Sequence, residues 1–88
     1  MKSGQAKLVT SSEVTNARPT NLIGFYVAST TSGTIVFHDS ASTGTNNAVT
    51  GTITPAIGWH FLPLSLGAGL RVVIANTLSV TLVYEPQG

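Results

Sequence analysis

Residues 37–40 read Phe-His-Asp-Ser, and one further histidine stands at position 60. These are the side chains with which a hydrolase activates a serine: a hydroxyl to attack, an imidazole to take its proton, a carboxylate to orient the imidazole. A triad is defined in space, however, and neighbours along a strand point to opposite faces of a sheet. His38 and Asp39 therefore diverge. The spacing fits a strand that stops at Asp39, whose carboxylate caps the following loop through an Asx-type turn that Ser40 continues. His38 then shares a face with Thr34 and Val36. His38, Asp39 and His60 make a zinc or iron site only if the fold gathers them, and nothing in their spacing requires it.

Other chemistries find even less. The chain has 88 residues and no cysteine, so disulfides, thiolate nucleophiles and cysteine-based zinc sites are excluded. Its only carboxylates are Glu13, Asp39 and Glu85, with Glu13 and Glu85 near the ends, a poor setting for the paired acids of a glycosidase. Gly67-Ala68-Gly69 is followed by neither Lys-Ser/Thr nor a helical pattern, so it reads as a turn rather than a phosphate loop. No catalytic residue, metal ligand or cofactor is assigned, and the chain is expected not to be an enzyme.

The elements that carry these residues read as β throughout. Short runs rich in Val, Ile, Thr, Phe and Tyr are broken by Gly, Pro, Asn and Ser. Strands are expected over 7–15, 22–29, 34–39, 48–54, 59–64, 70–75 and 78–85. A short arm (about 1–6) precedes them. Residues 30–33, Thr-Thr-Ser-Gly, read as a hairpin turn, and 40–47 as a polar loop. Asn76-Thr77 reads as a tight hairpin, since Asn accepts positive φ. Pro63 puts its strand at an edge. In the last run Leu78, Val80, Leu82 and Tyr84 share the core face. The pattern predicts one all-β domain over 1–88: a small antiparallel β-sandwich or jelly-roll-like barrel of about seven strands.

Composition narrows the partners. Only 8% of residues are charged, against roughly 25% in an ordinary globular protein. Yet 42% are hydrophobic. Lys2, Lys7, Arg18 and Arg71 are scattered and the net charge is +1, which gives no footprint for nucleic acid. No apolar run reaches the roughly 20 residues that span a bilayer, and the first residues lack the apolar core of a signal peptide. No membrane partner is expected.

Two expected strands are apolar on both sides. Trp59 and Phe61 oppose Leu62 and Leu64; Leu22 and Tyr26 oppose Ile23, Phe25 and Val27. A sheet packed once needs only one apolar face, so the second implies burial between chains. Trp59, Leu62, Leu64, Phe25 and Val27 are the expected protein-interface residues, with further copies of the chain as partners. A second reading makes Trp59, His60 and the loop 40–47 the contact of a carbohydrate- or receptor-binding module.

Four motifs carry a resemblance to known proteins: Gly-Thr-Ile-Val-Phe-x-Asp ending at Asp39, Trp-x-Phe-x-Pro-Leu from Trp59, Gly-Leu-Arg-Val from Gly69, and Val-Thr-Leu-Val-Tyr-Glu ending at Glu85. Over about residues 8–85 the chain resembles the small β-sandwich accessory proteins of tailed-phage virions, of capsid decoration (cement) or fibre type. The resemblance implies a non-enzymatic homotrimer that is made in the host cytoplasm and sits in the virion. Its partner there is the major capsid protein or another virion protein.

Overall fold

A computed structural model describes residues 5–44 and 46–86. The expected arm is thus covered only at Gln5 and Ala6, which already belong to a strand; residues 1–4 lie outside the described residues. Five strands form one antiparallel sheet: β1 (Gln5–Val9), β2 (Glu13–Asn16), β3 (Thr20–Asp39), β4 (Gly58–Leu66) and β5 (Leu70–Pro86). The order is β1-β5-β3-β4, with β2 also paired to β5. No helix occurs among the described residues.

Five strands replace the expected seven: two turn signals do not turn the chain back, the strand expected over 48–54 does not form, and residues 7–15 divide into two. Residues 22–29 and 34–39 both belong to β3, and 70–75 and 78–85 both belong to β5. The ladder between them runs from Thr20↔Pro86 to Asp39↔Leu70, with register shifts at Leu22/Gly24, Val27/Ser29 and Thr31/Ser32. The Thr-Thr-Ser-Gly and Asn-Thr signals lie opposite one another in this ladder, where Thr31 and Ser32 both face Thr77. Ser32 has φ 53° and Asn76 has φ 61°, so each supplies a left-handed residue, as such sequences do. Together they make a bulged corner. The Asn76 amide donates to the Ser32 carbonyl at 2.8 Å and the Gly33 N–H donates to Thr30 Oγ1 at 3.1 Å. A Cβ on Gly33 would lie 2.5 Å from the Thr77 carbonyl oxygen, so the corner has no room for a larger residue.

One distance shows how far the strand folds over. Phe25 and Phe37 are twelve residues apart on β3, about 40 Å in an extended strand. Their ring centroids are 5.4 Å apart. The sheet therefore closes on itself as two leaves. The first holds residues 20–27 of β3, the end of β5, β4 and β1. The second holds residues 34–39 of β3, the start of β5 and β2. Phe25, Leu82 and Val80 of the first leaf and Ile35, Phe37 and Val72 of the second are buried in the core. Leu78, Val80, Leu82 and Tyr84 are buried as the alternation of the last strand predicts.

Two expected strands are less regular than the pattern suggests. Residues 7–15 divide into β1 and β2 because they follow β5 around its corner. At the break, Ser12 Oγ accepts the Ile74 N–H at 2.8 Å and stands in for a backbone partner. Residues 48–54 form no strand: they run along the free edge of the second leaf, joined to it by isolated bridges at Ile35↔Ile53 and His38↔Ala48. Between those bridges the Phe37 N–H donates to Thr50 Oγ1 at 3.1 Å rather than to a carbonyl. A threonine side chain thus interrupts the ladder that its alternating sequence favours. Pro63 does lie on an outermost strand, β4, beside the register shift between Leu22 and Gly24.

Removing side-chain volume from the fully buried Leu82 lowers stability by about 2–5 kcal/mol. Val49→Thr, at a half-exposed position, stays within about 0.5 kcal/mol. Chemical denaturation followed by circular dichroism distinguishes the two.

Candidate functional site: an apolar sheet face

The residues that could do chemistry are each bound into the scaffold. Asp39 ends β3, but its carboxylate caps a remote loop rather than its own. Oδ2 accepts the Gly67 N–H at 3.2 Å; Oδ1 accepts those of Ala68 at 2.7 Å and Gly69 at 3.4 Å. The expected Asx turn is therefore replaced by a clamp on the β4–β5 connection. The Ser40 part of the expectation holds, since Ser40 Oγ accepts the Ser42 N–H at 3.1 Å.

His38 lies on the face of β3 turned away from Phe37, directly across from Arg71. Both are buried, because the loop after Ser40 folds back over them. His38 Nδ1 lies 3.0 Å from the Asn46 carbonyl oxygen. A carbonyl only accepts, so Nδ1 carries the ring proton. Arg71 Nε–H donates to the Gly44 carbonyl at 3.2 Å, and Nη2 donates to that of Thr43 at 2.9 Å. The guanidinium is thus held by carbonyl dipoles. The salt bridge found among the described residues is elsewhere, Lys7 to Glu13 at 2.7 Å.

His60 points the other way. It sits on the inner face of β4, stacked on Phe25 with centroids 5.0 Å apart, and its Nε2 donates to the Ala56 carbonyl at 2.8 Å. His38, Asp39 and His60 are not brought together. Among the described residues no three His, Asp or Glu side chains converge as metal ligands would, and no pocket opens.

What the fold does assemble is the outer face of the first leaf. Strand pairing sets two rows across four strands. One is Leu8–Thr81–Tyr26–Trp59, the other Ala6–Val83–Gly24–Phe61. Directly opposed residues share a face, so both rows point outward. Leu8 is 61% exposed, Tyr26 46%, Trp59 49% and Phe61 69%. Neither row contains a charged residue. Gly24 shapes this surface: a Cβ there would run into the His60 carbonyl oxygen and lie 2.8 Å from Trp59 Cζ2 and Cη2. The six-membered ring of the indole therefore lies across the β3 backbone, which only glycine allows.

The five expected interface residues are divided by this geometry. Trp59 lies on the open face. Phe25 and Val27 lie inside the subunit, and Leu62 and Leu64 pack partly buried against the core. The bulge between Leu22 and Gly24 brings Leu22 round to the side of Phe25 and Val27, while Tyr26 stays outside. Phe61, Leu8 and Tyr26 join Trp59 on this face, while Ile57 and Val49 are exposed outside the two rows. The alternation of β4 already placed Phe61 beside Trp59; nothing local in the sequence placed Leu8 there. Trp59, His60 and the loop 40–47, the contact of a sugar-binding reading, do not form one surface. Trp59 faces out, His60 faces in, and the loop is fastened to the second leaf.

Asp39→Ala removes the acceptor of three N–H groups, two of them on exposed residues, and lowers stability by about 1–2 kcal/mol in urea denaturation. Arg71→Ala unfastens the loop and speeds protease cleavage within residues 41–47 while the sheet stays folded; mass spectrometry of the fragments checks the site. Comparison with protein-family models, with curated proteins and with solved structures finds no match for this chain.

Proposed function

We propose that this chain is a non-enzymatic structural subunit of a phage virion, a capsid decoration (cement) protein that works by binding other copies of itself and docking on the coat lattice. The observation that carries this reading is the four-stranded outer face, where two rows without charge leave Trp59, Phe61, Tyr26 and Leu8 exposed. Exposed apolar patches of this kind mark contact surfaces more often than they mark isolated subunits. The chain's low charge supports the same reading, because copies meet with little repulsion.

The two leaves act as a small β-sandwich, a rigid plate rather than a vessel for a substrate. Three plates around an axis form the homotrimer that the sequence resemblance implies. Binding to a repeated coat gains from valency: once one arm of a trimer docks, the others meet their sites at high effective concentration. Each contact then needs only modest affinity. The partner is the major capsid protein or another virion protein, and neither a cofactor nor nucleic acid has a role.

Sedimentation equilibrium of the full chain at micromolar concentration yields a mass near three times the 9.1 kDa chain. A clean monomer across that range contradicts self-association. Electron microscopy of particles formed with and without the chain then locates it: added density on the coat supports the decoration role, and unchanged particles remove it.

A further inference from the structure

We infer that the outer face of the first leaf is a homotypic interface, covered by the same face of further copies of this chain. The inference rests on the reading of the chain as a self-associating subunit and names the surface and the partner.

Charge decides the partner. In a symmetric contact the side chains near the axis meet their own copies, so a charge placed there repels itself. The two rows from Leu8 to Trp59 and from Ala6 to Phe61 contain no charge to repeat. The nearest ionic groups stand aside: Lys7 is tied to Glu13, and Glu85 lies one row further on, across from Asn21. Within the two rows a charged foreign partner finds nothing to pair with, whereas the same neutral rows of an identical copy match them.

Area is adequate. The Cα trace measures 36 × 29 × 17 Å, so the outline of a broad side is on the order of 1,000 Å², and a contact centred on the two rows reaches the roughly 800 Å² per partner of a stable interface by extending over the flanking residues of that side. The edge of the sheet is less suited. β4 is the outermost strand beside the aromatic residues, and Pro63 within it has no N–H to give an added strand. Contact by the face keeps Trp59 on its Gly24 seat and buries Phe61, Tyr26 and Leu8 with it.

Trp59 is the only tryptophan, so its emission reports this face alone. Sedimentation velocity and iodide quenching are measured on the full chain, on Phe61→Glu and Leu8→Lys, and on Val49→Glu, a half-exposed position outside the two rows. Circular dichroism checks that each variant is folded. In the native protein Trp59 is expected to be shielded, and to become quenchable as dilution separates the copies. Either face substitution weakens association at least about 100-fold by setting like charges together, and exposes Trp59; Val49→Glu changes neither readout. A native oligomer that persists in both face variants with Trp59 quenchable overturns the interface and leaves self-association standing. A native monomer at every concentration overturns both. Trp59 emission that responds to added oligosaccharide, but not to protein concentration, likewise overturns it.

Discussion

Thr31 and Ser32 both face Thr77 across the β3–β5 ladder, and that two-against-one pairing carries the two longest strands around a corner together. Neither strand has to end there, so the backbone pairing of one leaf passes into the other without a loop. The consequences reach the whole molecule. Phe25 comes to lie on Phe37, the core closes between the leaves, and β1 and β2 are obliged to break where β5 bends. A chain of this size buries only roughly 60–65% of the surface its unfolded form exposes. Folding one ladder in half is an economical way to give it two layers.

The same fold leaves the outer faces of the two leaves with different fates. On the second leaf, His38 and Arg71 are covered by the chain's own loop, with backbone carbonyls of Thr43, Gly44 and Asn46 taking their hydrogen bonds. On the first leaf none of the described residues covers the rows that hold Trp59 and Phe61. The polar side chains that suggested chemistry serve to fasten loops: Asp39 clamps the turn at Gly67–Gly69, and His60 leans on Phe25. What the first leaf leaves open is the pair of uncharged rows from Leu8 to Trp59 and from Ala6 to Phe61.

Much of this was legible in the sequence. The β character, the end of a strand at Asp39, the edge position of Pro63 and the core face from Leu78 to Tyr84 follow from alternation and from the conformational limits of proline. The corner was not legible. Ser32 and Asn76 have positive φ, and a local sequence that permits positive φ does not say whether the chain reverses or the strand merely bulges. Their hydrogen bond joins residues 44 positions apart, and only the register of the whole ladder decides it. The burial of Leu22 beside Phe25 and Val27 turns on the bulge next to Gly24, a glycine whose need comes from the His60 carbonyl and the Trp59 ring on another strand. The role of Arg71 was hidden for a related reason: its partners are carbonyls, which every residue has and no sequence pattern marks.

The central claim is that the open face of the first leaf is closed by other copies of the chain. An electron cryomicroscopy structure of the assembled protein tests it most directly. The account predicts Trp59 and Phe61 packed against Tyr26, Phe61 or Leu8 of a neighbouring copy, with no water layer between them. An assembly held together elsewhere, with the Trp59 ring open to solvent in every copy, contradicts it.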